Sequence, residues 1–354
     1  MKFSVKTEEL LEALHKCRYI ISTSPSQIAF TGVFLEVNEG SLYLTSSDGD
    51  TMIKVEIPVT NATDGSILIA AKPIITYLSS VQNNSNITIL KKDNGDLQIN
   101  TASVPYTFRT ISNVHFPKNN LSPTLAKNGD FSNFATGLKI VKDALKKDDP
   151  SILVISENGN LKLLATDRER LVKTEFYTGS PENFSAVLPY AALERASKLE
   201  LGSIEEDVAS KSIRFSSKGT VLSTRTIAEP FPDATFILQS IPETFISLDP
   251  KPLALALSRL SSVAENEAVV VTIKDQSMSI SVDNTEVGAG EEDISIENPF
   301  KYQYVFKMNI LFIYNAIRNT TAKKISINFS LAKSPIYIAS TEPIDSIHII
   351  AQTA

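Results

Sequence analysis

The sequence predicts an α+β fold made from one domain used three times, each copy with two helices and a mostly antiparallel sheet. Three observations carry that expectation. A hairpin-like stretch, LEVNEGSLYLTSSD at 35–48, returns as VISENGNLKLLATD at 154–167 and as VTIKDQSMSISVDN at 271–284. Asp48, Asp167 and Asn284 close the three copies, 119 and 117 residues apart. An apolar step into a helix recurs at Ile69, Val187 and Val305, 118 residues apart each time. Finally, FRTISNVHFP at 108–117 parallels TRTIAEPFP at 224–232. Repeats of this length are whole domains, not solenoid units of roughly 20–50 residues. The expected boundaries are 1–121, 122–241 and 242–354, with Pro-containing polar joins at 117–123 and 232–242.

Each copy opens with a short strand and an amphipathic helix. Leu10, Leu11, Leu14, Cys17 and Ile21 fall at three- and four-residue spacings, and so form one apolar stripe. Phe134, Leu138, Val141 and Leu145 do the same in the second copy, and Leu253, Leu257, Leu260 and Val263 in the third. Alternating runs follow, punctuated by Asn38-Glu39-Gly40, Asn158-Gly159 and Asp275-Gln276-Ser277, which read as hairpin turns. A second helix comes next, then more strands with turns at Asn94-Gly95 and Lys218-Gly219. The six helical segments expected are 7–21, 70–83, 131–149, 190–201, 249–267 and 307–324.

Composition narrows the class. With 354 residues, 42% hydrophobic and 21% charged, the chain is globular. Glu8, Glu9 and Glu12 stand where a signal peptide would need an apolar core, and no apolar run reaches the roughly 18 residues a membrane span needs. One cysteine, Cys17, excludes an internal disulfide, and the cytoplasm is the expected location. The net charge of −6 argues against nucleic acid until its distribution is considered. The six helical segments together carry +4, so the remainder carries −10. A basic helical surface in an acidic body is what this segregation predicts.

Little in the chain reads as catalytic. His15, His115 and His348 show no ligand spacing, the GAG at 288–290 follows no strand-to-helix turn, and no phosphate-cradling GxxxxGK is present. Asp48-Gly49-Asp50 lacks the further ligands of a calcium loop and reads as a turn. Asp167 and Glu169 could serve as an acid–base pair, but Asp167 has a counterpart in Asp48, which favours a repeated structural turn. No catalytic residue, metal site or cofactor is expected. The basic helix residues Lys139, Lys142, Lys146, Lys147, Arg195, Lys198, Arg318, Lys323 and Lys324 are not interleaved with aromatics, which favours phosphate contact over base reading.

The threefold repeat, the N-terminal MKF with LLEAL, LLATDRERL at 163–171, FPD at 231–233 and the MNxxF helix start at 308–312 together resemble the bacterial sliding clamps, the beta subunits of DNA polymerase III. The resemblance covers the whole chain in order and implies a divergent member. It implies a head-to-tail homodimer closed into a ring, with helices lining the hole and sheets outside. Such a ring encircles double-stranded DNA without regard to sequence and makes a replicative polymerase processive. It meets the polymerase, the clamp loader and repair proteins through short peptides with a glutamine followed by leucine and phenylalanine, and needs no membrane. Carried over, the resemblance makes Lys139, Lys142, Lys146, Arg195, Lys198, Arg318, Lys323 and Lys324 the DNA-facing residues. It places a partner-peptide pocket at Thr166, Arg170, Leu171, Pro232 and Ile237 on one side, with Asn309, Phe312, Ile336 and Ile350 on the other. It puts Tyr106 and Phe108 at the dimer interface, facing Val263 and Ala264. The alternatives are a clamp paralogue that scaffolds proteins without sliding on DNA, and a hydrolase using Asp167 and Glu169.

Four departures mark this chain. The loop before the first hairpin, where the family carries an arginine, reads STSPS at 22–26. The loop after the third helix reads DDPSI at 148–152 in place of aromatic residues and a glycine. Arg168-Glu169 stands where the family shows Gly-His or a similar pair, and the C-terminus ends IIAQTA at 349–354 in place of an apolar-Pro-apolar-basic tail.

Overall fold

The computed structural model describes residues 1–21, 28–81, 85–101, 104–111, 115–117, 121, 127–148, 150–264, 268–282, 287–330 and 334–353. The loop at 22–26, Asp149, Asn284, most of the first join and Ala354 lie outside the described residues.

The first repeat runs β1 (Lys2–Lys6), α1 (Thr7–Arg18), β2 (Val33–Asn38), β3 (Ser41–Ser47), β4 (Thr51–Pro58) and β5 (Thr60–Thr63). It continues with β6 (Gly65–Ile69), α2 (Ala71–Leu78), β7 (Asn86–Lys91), β8 (Leu97–Asn100) and β9 (Pro105–Phe108). The second repeat has α3 (Phe134–Val141), β10 (Ser151–Glu157), β11 (Asn160–Thr166), β12 (Arg170–Tyr177), β13 (Phe184–Pro189), α4 (Tyr190–Ala196), β14 (Leu201–Asp207), β15 (Ser212–Ser217) and β16 (Thr220–Arg225). A short helix, α5 (Thr235–Gln239), precedes the third. The third then has β17 (Phe245–Leu248), α6 (Pro250–Ala264), β18 (Ala268–Val282), β19 (Gly290–Asn309), α7 (Ile310–Ile317), β20 (Ile325–Asn328), β21 (Ile336–Ser340) and β22 (Asp345–Ile350). The class is α+β, with antiparallel pairing between the strands described.

The expected stripes are the buried faces: Leu10, Leu14 and Cys17 on α1, Phe134, Leu138 and Val141 on α3, and Leu253, Leu257 and Leu260 on α6. The first two hairpin turns are also as read. Glu39 and Gly40 (φ 50° and 80°) and Asn158 and Gly159 (φ 53° and 78°) take the left-handed conformations of a two-residue turn. The third differs. Residues 268–282 form one strand that shifts register around Asp275 (φ 54°) rather than a separate hairpin.

Helix lengths were over-read from the sequence. The segment 307–324 contains only Ile310–Ile317 as α-helix, because Lys307 and Met308 finish β19 and Asn309 then caps α7, accepting from Leu311 N at 2.9 Å. The segment 131–149 keeps only Phe134–Val141 and a 3₁₀ turn at Lys142–Ala144. Helix α5 was not expected at all.

The chain divides into two compact units. The first comprises Met1–Phe131 with Ala192–Thr226, the second Ser132–Ala191 with Ile227–Ala354. In the first unit lie a sheet of order β5-β1-β7-β8-β9 and another of order β14-β15-β16-β4-β3-β2-β6. In the second lie a sheet of order β13-β10-β11-β12-β22-β21-β20-β17 and the β18–β19 pair. Each larger sheet therefore joins strands of two repeats edge to edge, at β4–β16 in the first unit and at β12–β22 in the second. Among the described residues, no helix is long and apolar enough to cross a membrane.

Candidate functional site

The two seams are built to the same register. Thr51, Met52 and Ile53 pair with Thr224, Ser223 and Leu222, while Arg170, Leu171 and Val172 pair with Ile350, Ile349 and His348. A matching aspartate turn precedes each. Asp48 Oδ1 accepts from Asp50 N at 3.2 Å and Thr51 N at 2.8 Å. Asp167 Oδ1 accepts from Glu169 N at 3.1 Å and Arg170 N at 3.0 Å, and its Oδ2 takes Arg170 Nε at 3.0 Å. Both carboxylate oxygens of Asp167 are thus spent on the turn, which is the structural role and not the acid–base one.

Successive strand residues face opposite sides of a sheet, so the second seam has two distinct surfaces. On one, Leu171, Ile349 and Tyr337 are cross-strand neighbours and form an apolar cluster with Ala234, Phe231, Ile237, Leu238 and Ile347. Tyr337 donates its hydroxyl to Ile237 O at 3.1 Å, which holds α5 over the cluster, and burial raises that phenol's pKa. On the other surface, Ile336 and Ile350 are fully buried in the core of the third repeat, with Phe312 packed against it. The Arg170 guanidinium stacks over the Phe312 ring at 4.1 Å.

This corrects the expected pocket. Leu171 and Ile237 come together, and Thr166 and Pro232 line an adjoining cleft. Ile336, Ile350 and Phe312 are not the facing wall, since they belong to the core side of the sheet. Asn309 is occupied as a helix cap, and Arg170 is held by Asp167 and Phe312. The side chains that do pack with Leu171 and Ile237 are Tyr337, Ile349 and Ile347, each one strand position or more from the residues expected. Alternation could not have found them, because both faces of these two strands are apolar. His348, on the core side, is fully buried, and desolvation, then the Arg170 charge, depresses its pKa to about 3.

The first seam has the same geometry with different chemistry. Met52 and Ser223 stand where Leu171 and Ile349 do, and Arg214, paired with Ser223 in β15, stands where Tyr337 does. Arg214 is ion-paired with Asp207. Thr51 and Thr224 share a buried hydroxyl hydrogen bond at 3.2 Å. No apolar cluster of the second kind can form from these residues.

Of the cations expected on helices, only Lys139 and Arg195 lie in α-helices and Lys142 in the 3₁₀ turn; Lys146, Lys198, Arg318, Lys323 and Lys324 fall beyond the helix ends, because the helices are shorter than expected. Lys139, Lys142, Lys198, Arg318, Lys323 and Lys324 are exposed, while Lys146 and Arg195 are half-buried. Several already have partners. Arg195 pairs with Asp48 at 3.0 Å, Arg318 with Asp143 and Lys324 with Glu297 at 2.7 Å, while Lys142 and Lys198 lie over the rings of Tyr190 and Tyr19. Burial raises the Asp143 carboxyl, and Arg318 opposes that shift.

At the expected subunit contact, β9 is an edge strand of its sheet. Tyr106 is 51% exposed, and its ring and that of Phe108 pack on Tyr77, with centroids 4.5 and 5.5 Å apart. Ala264 is fully buried and Val263 half-buried against the third-repeat core, so only Val263 of that pair presents surface. Cys17 is buried with its thiol pushed up to about 12 by desolvation, which leaves it a packing residue.

Residues 1–121 match the family model for the N-terminal domain of the DNA polymerase III beta subunit, and residues 239–353 match that for its C-terminal domain. The chain is 22% identical to the beta sliding clamp of Streptococcus pneumoniae over 96% of this chain and 95% of that protein. It is 23% identical to the beta sliding clamp of Synechococcus elongatus over 99% and 98%. Its fold matches the crystal structure of the DNA polymerase III subunit beta from Pseudomonas aeruginosa with a TM-score of 0.89 at 17% identity, covering 100% of both chains. The DNA polymerase sliding clamp from Bacillus subtilis matches with a TM-score of 0.88 at 19% identity, over 100% and 99%.

Proposed function

Because the chain belongs to the DNA polymerase III beta subunit family, whose function is that of a DNA sliding clamp, we propose that two copies close head to tail around duplex DNA and tether a replicative polymerase to it. The observation that supports this most is the match of both terminal thirds to the family's own domain models, with the fold matched end to end. In this reading the protomer has three domains, 1–121, 122–241 and 242–354, and acts in the cytoplasm without catalysing a reaction.

A ring holds DNA by topology, so it needs only sparse, salt-sensitive phosphate contacts that shift register freely. Exposed cations on or just beyond the ends of short helices suit that task. The carboxylates of Asp48, Asp143 and Glu297 compete with phosphate for Arg195, Arg318 and Lys324, which keeps the grip loose. The edge strand β9, with Tyr106 exposed, would extend across the subunit boundary onto the third domain of the partner. The Leu171–Tyr337–Ile349 cluster, with Ile237 above it, would take the apolar anchor of partner peptides from the polymerase, the loader and repair proteins.

The test is topological. Protein placed on a singly nicked circular plasmid should co-elute with it in gel filtration and be lost once the plasmid is linearised. Equal retention on both forms, or on neither, contradicts the ring. Changing Arg318, Lys323 and Lys324 to Glu should reduce retention and flatten its salt dependence by roughly one unit of log–log slope per lost phosphate contact.

A further inference from the structure

We propose that Arg168 and Lys146 form a cationic mouth beside the apolar cluster, and that this mouth selects partner peptides carrying a carboxylate next to their apolar anchor. The proposal rests on the reading of the cluster as the docking surface. A cleft in the second unit is lined by Lys146, Thr166 and Arg168, and by Glu229, Phe231 and Pro232. Phe231 also packs against the Leu171 cluster, so cleft and cluster share a wall. A peptide whose apolar residues sit on the cluster therefore passes its flank into the cleft.

The charges there do not balance. Two cations face one carboxylate, Glu229, and among the described residues neither Lys146 nor Arg168 is in an ion pair. Three other arginines of the same unit are paired: Arg170 with Asp167, Arg318 with Asp143, Arg259 with Glu292. A guanidinium and an ammonium left over at a partly enclosed cleft favour a carboxylate from outside, the guanidinium with two parallel hydrogen bonds.

The backbone points the same way. Arg168 has φ 81°, in the left-handed region that side chains avoid, and the sibling turn of the first seam uses Gly49 there, at φ 108°. The turn itself uses only the backbone of Arg168, whose N–H donates to Thr166 Oγ1 at 3.1 Å. Its exposed side chain adds nothing to the turn's hydrogen bonding, so strain is accepted at a position where glycine would serve the fold better. The side chain has a use only toward something that arrives.

The full-length protein would be titrated, by fluorescence anisotropy, with labelled short peptides that carry a glutamine followed by leucine and phenylalanine and are extended at either end by glutamate or by glutamine. One glutamate peptide should bind about three- to fivefold tighter than its glutamine match at low salt, the range expected of a partly exposed ion pair. That ratio should fall toward one at high salt and in Arg168→Gly, a substitution the turn accommodates. Equal binding of the glutamate and glutamine peptides at both ends overturns the proposal, as does a ratio that survives in Arg168→Gly. If no peptide binds at all, the docking surface itself is refuted and this proposal with it.

Discussion

The two seams of this protein share a register, a pairing geometry and an aspartate turn, yet only one of them has an apolar outer surface. At β4–β16 the outward residues are Met52, Ser223 and Arg214; at β12–β22 the same positions hold Leu171, Ile349 and Tyr337. The inward residues differ as well, with Leu222 in the first seam where His348 stands in the second. In the second unit Phe231, Ala234 and Ile237 fold back over the outer surface and Tyr337 ties them down. A repeated architecture thus gives two equivalent surfaces, and side chains at three strand positions make only the second of them apolar.

Truncation should separate the seams most strongly. Tyr337→Ala removes a side chain that is 3% exposed and frees α5, and should cost about 3–4 kcal/mol in denaturant unfolding. Arg214→Ala, the matching change in the first seam, should cost less than about 1 kcal/mol. Equal losses would break the comparison.

Acid should come next. The folded state keeps His348 neutral with a pKa near 3, below the roughly 6.5 of the unfolded chain, so protons bind the unfolded state first. Stability associated with this residue is present above pH 6.5 and is lost as pH falls toward 3. His348→Leu, which copies Leu222, should therefore retain about 2–3 kcal/mol more of its neutral-pH stability at pH 4.5 than the parent does. A pH profile identical to the parent's would place His348 in contact with water.

Smaller effects sharpen the account of the turns and pairs. Thr51→Val leaves the buried Thr224 hydroxyl without its partner and should cost about 1–2 kcal/mol, whereas Thr51→Val with Thr224→Val together should be nearly neutral. An additive double mutant would mean the hydroxyls do not depend on each other. Last, Arg168→Gly should stabilise by about 1 kcal/mol and Gly49→Ala should destabilise by a similar amount, measured as opposite shifts in thermal midpoint.

Much of this was legible in the sequence. The repeat gave the element order, and Glu39-Gly40 and Asn158-Gly159 turn as read because few other pairs accept positive φ at both residues. Helix ends were not legible where an apolar strand runs straight into an apolar helix, as at Lys307–Asn309, since periodicity alone does not mark the change. The residues expected beside Leu171, Ile336 and Ile350, lie one position from those that pack there, Tyr337 and Ile349, for a related reason. In IYIAS and SIHII both faces of the strand are apolar, one for the core and one for the cluster, so alternation carries no contrast and the face is ambiguous. The seams themselves join strands more than 150 residues apart, as Thr51 and Thr224 are, and no local pattern records such pairings.

The central claim is that the outer surface of the second seam, and not that of the first, takes partner peptides. Hydrogen exchange of the full-length protein with and without a saturating short peptide that carries a glutamine followed by leucine and phenylalanine tests it most directly. Slowed exchange should appear in peptic fragments covering Arg170–Tyr177, Thr235–Gln239 and Asp345–Ile350, with none in those covering Thr51–Pro58 and Thr220–Arg225. Protection at the first seam, or unchanged exchange at the second when the peptide is bound, would contradict the account.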